Sequence, residues 1–159
     1  MTGQDFRAVM RHWATGITLI TCEAPKGLHG ITVNSFTSLS LDPPLALVCI
    51  DQKAKAYHEI PAAGHFVVNF LGQDSQEVSD RFAGRRPELA DPFTGLSIGR
   101  TPAGHPMLPQ ALAYLDCTLR ETLPGGDHLI LVGDVISATV LRSGDPLLFY
   151  GGTYRQLQA

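Results

Sequence analysis

Charge is sparse in this sequence: Asp, Glu, Lys and Arg make up 17% of its 159 residues, and 12 Lys+Arg against 15 Asp+Glu leave a net charge of −3. With no basic excess there is no electrostatic footprint for nucleic acid. Cysteine is rarer still. Cys22, Cys49 and Cys117 are odd in number and far apart, each inside an apolar run. They form neither a disulfide frame nor a metal knot and read as small buried hydrophobes. No apolar run approaches the roughly 20 residues of a membrane-crossing helix, so no membrane is expected. The opening "MTGQDFRAVMRHW" has neither a basic leader segment nor an apolar one, and the expected location is the cytoplasm.

Several catalytic signatures are also missing. There is no G-x-G-x-x-G after a strand and no G-x-x-x-x-G-K-[ST], so a nucleotide must be held by something other than a Rossmann turn or a P-loop. Gly95-Leu96-Ser97-Ile98-Gly99 has nucleophile-elbow spacing, but Pro102 and Pro106 follow where a helix would have to begin. His58, Glu59 and His65 lack the H-E-x-x-H spacing. Pro61 and Gly64 break the helix that would align them, which leaves surface histidines rather than zinc ligands.

What is present reads mainly as strands within one domain spanning residues 1–159. Phe6, Val9, Met10 and Trp13 are spaced for an amphipathic helix, with Thr2 as its cap and Gly16 as its stop. Strand periodicity follows in "ITLITC", "LALVCI" and "HFVVNFL". A second helix is expected over "DSQEVSDRFAG", with Asp74 and Glu77 at capping-box spacing and Val78 and Phe82 on one face. Arg81, Arg85 and Arg86 at its end read as a solvated cationic terminus favoured by the helix dipole. The Gly- and Pro-rich segment 84–109 is a long surface loop with at most a short strand near Leu96 to Ile98. "ALAYLDCTLRETL", "LILVGDVISATVL" and "PLLFYGGTY" complete seven or so strands. That count, with tight turns and few helices, predicts a closed antiparallel barrel with a few flanking helices.

The stretch "GITVNSFTSLSLDPPLALVCI" carries the clearest anomaly. Odd positions Ile31, Val33, Leu39 and Leu41 are apolar and even positions Thr32, Asn34, Ser38 and Ser40 polar, but Ser35, Phe36 and Thr37 break the alternation. A turn or bulge there would present backbone N–H groups and side chains to a flat heteroaromatic ligand; alternatively the polar face meets only water. Two further candidates flank it. "PGGDH" places His128 at a strand end, suited to a phosphate, a carboxamide or a proton, or else simply exposed beside a turn built by Asp127. "DQKAKAYHEI" offers Lys53 and Lys55 as a phosphate clamp or as a solvated charged loop.

Taken in order, "FRAVMRHWATGITLITC", "GITVNSFTSLSLDPPLALVCI", "HFVVNFL", "SDRFAG", "AYLDC", "GGDH" and "LLFYGGTY" resemble the flavin reductase family on the FMN-binding split barrel, the reductase components of two-component flavin monooxygenases. The resemblance covers nearly the whole chain. It implies an NAD(P)H:flavin oxidoreductase using FMN or FAD with NADH or NADPH as hydride donor. Thr32, Val33, Asn34 and Ser35 would line the isoalloxazine, and Ser38 and Leu39 the ribityl and phosphate. Cys49, Ile50, Asp51 and Lys55 would flank the phosphate and Phe82 would close the site. His128 would stand by the nicotinamide, with Tyr154 bordering the same pocket. Ala54 and Ala56 depart from the hydroxyl residues often found there, leaving Lys55 and backbone amides to serve. A homodimer is implied, with "FVVNFL" and "LILVGDV" facing the second subunit, and so is a separate monooxygenase that receives reduced flavin. The alternatives are a non-enzymatic flavin-binding or electron-carrier module, a pyridoxamine-phosphate-oxidase-like enzyme, and an interaction barrel without a cofactor.

Overall fold

Helix α1 (Gly3–Met10) begins where the sequence places its cap. Thr2 Oγ1 accepts from the Asp5 N–H at 3.2 Å while the Asp5 carboxylate accepts from the Thr2 N–H at 2.8 Å, a reciprocal box in which Asp replaces the usual Glu. It ends short of Gly16, because tight turns at His12 and Trp13 lead into Thr15–Gly16, the small strand β1. The computed structural model describes residues 1–157. Strands β2 (Thr18–Ala24), β3 (Gly27–Val33), β4 (Phe36–Leu41) and β5 (Pro44–Asp51) follow, then α2 (Ala56–Ala63), β6 (His65–Phe70) and, after a 3-10 turn, α3 (Gln76–Phe82). The long loop carries only β7 (Gly99–Arg100) and β8 (Pro106–Met107). The chain closes with β9 (Ala113–Gly125), β10 (His128–Val140), β11 (Leu148–Tyr150) and β12 (Thr153–Arg155).

Seven strands form one antiparallel sheet in the order β3-β2-β6-β9-β10-β5-β4, and β1, β11 and β12 form a smaller one beside it. The large sheet curls so that residues from both halves share one interior: Ile20 from β2, Val48 and Ile50 from β5, Phe66 and Val68 from β6, Cys117 from β9 and Leu131 from β10. A second layer covers its other face, where Leu19, Leu71, Val78, Phe82, Leu108 and Leu147 pack together. Strands β2 and β6 are therefore buried on both faces, which explains their nearly unbroken apolar runs.

The expected closed barrel is corrected to an open ladder. Among the described residues no hydrogen-bonded pairing joins β3 to β4, the two ends of the sheet. The reason is covalent: β3 runs into β4 through Asn34 and Ser35 alone, so one stretch of chain pairs with β2 in its first half and with β5 in its second. The two intervening residues also reverse the parity. Ile31 and Val33 point at the interior in β3, whereas in β4 it is Phe36 that packs inward, edge-on to Phe70 with ring centroids 5.2 Å apart. Beyond a bulge between Ser38 and Ser40, Leu39 and Leu41 are left exposed.

Other local expectations shift. Helix α2 forms despite Pro61, since Ala56 and Ile60 bury against the interior and Gly64, at φ 71°, caps the end with its N–H on the Ile60 carbonyl. Asp74 does not cap α3; its carboxylate takes Arg142 at 2.7 Å instead. His65 is not a free surface histidine, for it stacks on His105 at 3.7 Å, while His58 is exposed. The runs expected to face a second subunit are largely interior: Phe66, Val67, Val68, Asn69 and Leu131 are fully buried. No helix among the described residues is long and apolar enough to cross a membrane.

Candidate active site at the strand break

The break at Asn34–Ser35 is where polar groups collect. Asn34 is exposed, and its side-chain amide donates to Thr15 Oγ1 at 3.2 Å, which fixes the carboxamide plane. Ser35 Oγ donates to the Cys49 carbonyl at 2.7 Å, and the Cys49 N–H donates to the Ser35 carbonyl at 3.2 Å. Thr32 Oγ1 donates to the Ser79 carbonyl at 2.8 Å, and Thr18 Oγ1 donates to the Val33 carbonyl at 3.1 Å. Of the side chains expected to line a ring, Asn34 alone keeps a side-chain donor unspent, its second N–H, together with its acceptor oxygen.

Asn34 is the common wall of three hollows. One of about 360 Å³ lies against the Trp13–Thr18 segment, Phe36 and Phe70. A second, of about 140 Å³, lies between Thr32, Val33, Ala83, Arg85, Phe149 and Tyr154. The third, of about 300 Å³, opens toward Arg11, Trp13 and the turn at Gly151 and Gly152. Small-molecule sites occupy roughly 300–1,000 Å³, so the second hollow is too small alone but adequate together with its neighbours. Apolar walls with one oriented carboxamide suit a flat heteroaromatic that alternates carbonyl oxygen and ring nitrogen along an edge. The residues present fit a flavin.

Tyr154 stands beside this group. Its hydroxyl is 2.8 Å from Ser79 Oγ and donates to Asp80 Oδ1 at 3.0 Å, tying β12 to α3. Burial raises the Tyr154 pKa above its ordinary value, so it stays a neutral donor. Phe82 is placed differently from expectation. It lies inside the second layer, edge-on to Phe93 at 4.7 Å, and backs Gly30, where an added Cβ would come within 2.7 Å of its ring. Ile50 likewise points into the interior.

A second cluster forms at the C-terminal end of β5, two residues beyond Cys49. His128 is the cross-strand partner of Asp51, and the Gln52 N–H donates to the Asp127 carbonyl at 3.0 Å. Asp51 Oδ1 accepts the Lys53 N–H at 2.8 Å. His128 Nδ1 lies 2.7 Å from Asp127 Oδ1, and this bond to His128 holds the Asp127 carboxyl below its usual range. Nδ1 is thereby the donor, with Nε2 directed elsewhere. Lys55 is exposed at the start of α2, and Ser38 and Leu39 are exposed on β4. Within one chain the structure brings Cys49 to Ser35 and His128 to Asp51. It does not bring His128 into the hollows that Tyr154 and Asn34 line.

Residues 10–158 match the flavin reductase-like domain. The chain belongs to that family. It is 37% identical over 153 residues to the reductase subunit HsaB of a flavin-dependent monooxygenase from Rhodococcus jostii, covering 96% of this chain and 77% of that protein. An NADH-dependent flavin reductase from a Rhodococcus species is 38% identical over 161 residues, covering 99% and 88%. The structure of the flavin reductase PheA2 superposes with a TM-score of 0.91 at 37% identity, covering both chains completely. The open, curled seven-strand sheet is thus the flavin reductase fold.

The sequence placed Trp13 on the amphipathic helix and Arg85 in a solvated cationic helix end, and gave Thr15 and Phe149 no role; all four meet the break only through folding. Thr15 had one legible signal, a hydroxyl between a helix and a strand. Arg85 had none, because a helix end with three arginines looks the same whether it meets solvent or a cavity. Among the described residues there is no group of three or more His, Cys, Asp or Glu placed to hold a metal.

Proposed function

We propose that this flavin reductase family member holds its flavin ring at the Asn34–Ser35 break and passes reduced flavin to a separate monooxygenase. The protein is an NAD(P)H-dependent flavin reductase. When bound, the cofactors supply the chemistry: a hydride leaves the reduced nicotinamide and reduces the flavin. The chain's own residues bind, orient and exclude water, so no side-chain nucleophile is needed.

The observation that carries this reading is the oriented Asn34 carboxamide, shared by three hollows where the ladder switches partner. Thr15 fixes its plane. Thr32 and Val33 form the floor, with Thr32 locked to α3, and the Ser35–Cys49 pairing holds the break against β5. Phe82 supports the floor from behind Gly30. Ser38, Leu39, the backbone of Cys49, Ile50 and Asp51, and Lys55 extend from this point toward the ribityl and phosphate. His128, its Nδ1 fixed by Asp127, offers Nε2 to the nicotinamide carboxamide, and Tyr154 borders the ring site. The two ends of the open sheet, β3 and β4, are joined only by the chain through Asn34 and Ser35. The working form is a cytoplasmic homodimer. The apolar side chains left exposed on α1 support it, since a monomer would hold them in water.

Absorbance at 340 nm with NADH or NADPH and riboflavin, FMN or FAD in turn tests this directly. Oxidation of reduced nicotinamide that requires added flavin is expected. Flavin binding without oxidation would instead mark an electron-carrier module.

A further inference from the structure

Three arginines lie at and just beyond the end of α3, and folding gives them different surroundings. Arg81 is clamped, its Nε donating to both Glu77 oxygens at 2.7 and 2.8 Å and its Nη1 to the Thr94 carbonyl at 2.7 Å. Arg86 is held by Glu88 and, at 3.3 Å, by Glu77. Arg85 instead turns to the hollow beside Thr32, Val33 and Asn34, where among the described residues it is the one lysine or arginine in the lining. Its guanidinium carbon stands 5.2 Å from the Tyr154 ring centroid and 6.0 Å from that of Phe149. Its carboxylate contact is a single one, Nη1 to Asp80 Oδ1 at 3.2 Å, and its side chain is 48% exposed. The same side chain borders an outer hollow of about 410 Å³ with Gln76, Asp80 and Thr153, so it forms a partition between inner and outer spaces.

Asp80 does not depend on Arg85 alone, because Tyr154 also donates to it. The guanidinium can therefore exchange its partner for another anion and leave the carboxylate hydrogen-bonded. A planar fork of donors that rests on aromatic faces matches the two oxygens of a phosphate. Lys55, the sequence's own choice for that task, lines none of the three hollows around Asn34.

We propose that Arg85 is a further phosphate-binding residue of the ring site, distinct from the Lys55 end of β5, taking a phosphate of the nucleotide that enters the Asn34 hollows and releasing Asp80 to do so. The inference rests on the ring lying at the Asn34–Ser35 break. The phosphate comes either from the flavin or from the nicotinamide dinucleotide. Asp80 opposes that phosphate by like charge, so neutralising Asp80 strengthens binding of the same ligand that loss of Arg85 weakens.

The test compares ligands with and without phosphate on the full chain: FMN and FAD against riboflavin by titration, and NADH against dihydronicotinamide riboside by KM. Arg85→Ala is expected to weaken the phosphate-bearing members of one pair roughly tenfold and leave the phosphate-free member unchanged, as loss of a charge-assisted bond requires. Arg85→Lys recovers part of the loss, and Asp80→Asn shifts affinity the opposite way. Loss in the flavin set assigns the flavin phosphate, and loss in the nicotinamide pair assigns the dinucleotide. Equal weakening with and without phosphate, or no change in either set, overturns the proposal. Failure of the ring site is read separately: it appears as riboflavin affinity that Asn34→Ala leaves unchanged.

Discussion

Ser35 and Cys49 are joined twice, the Ser35 hydroxyl donating to the Cys49 carbonyl at 2.7 Å and the Cys49 N–H to the Ser35 carbonyl at 3.2 Å. This pair stitches the break in the Gly27–Leu41 segment to β5 and joins the ring site to the β5 end.

Ser35→Ala removes the side-chain half of that stitch and leaves a half-buried carbonyl with one fewer donor. A cost of about 1 kcal/mol is expected, which lowers Tm by roughly 2–4 °C in a chain of this size. Flavin affinity should fall with it. A thermal melt beside a flavin titration checks both; unchanged flavin affinity would separate the stitch from the ring site.

His128→Ala should raise KM for the reduced nicotinamide about tenfold while the flavin Kd stays constant. His128 lines none of the hollows around Asn34, so the two effects are separable. Equal loss of flavin affinity would contradict the assigned role. Asp127→Asn frees Nδ1 from its carboxylate partner and should reproduce part of the KM effect.

Phe6, Val9 and Trp13 are 55%, 68% and 67% exposed, and α1 buries no residue of its own. Light scattering should give twice the chain mass. A Phe6→Asp, Val9→Asp double substitution should shift it to the monomer with secondary structure intact, since neither side chain supports the monomer's interior, and Tm should fall only by the stabilisation that association supplies. A wild-type monomer with full activity would exclude the dimer.

Acid should destabilise the fold through His65. Burial and the neighbouring His105 hold its pKa below the ordinary 6.5, against the opposing influence of the Ala63 carbonyl and of Asp116 and Glu23. Its Nδ1 meets the Ala63 carbonyl at 3.0 Å and its Nε2 accepts the Glu23 N–H at 3.3 Å, an arrangement only the neutral ring can make. The unfolded chain takes its proton near 6.5 and the folded chain at lower pH. Between the two the unfolded state binds more protons, so stability falls as pH drops through 6.5. Urea midpoints at pH 7.5 and 5.5 should show the fall, and His65→Gln should flatten it. An unaltered slope in that variant would place the acid sensitivity elsewhere.

The residues themselves determined much of this protein. The apolar runs of β2 and β6, the strand patterning of β5, β9 and β10, the Thr2 cap, the disturbed parity around Ser35 and Phe36, and the order of motifs are local signals. They survive any folding because they depend only on neighbours a few positions away. Tertiary structure decided the rest. Helix α2 overcame Pro61 because Ile60 had an interior to enter; Phe82 went behind Gly30 rather than into a cavity. Thr15 reached Asn34, Arg85 reached Tyr154, and His105 reached the buried Asp116 only after the sheet had curled. Periodicity tells which side chains share a face, but not what that face meets. The curl and pairing of a sheet are set by contacts between residues distant in the chain, and no local pattern records them.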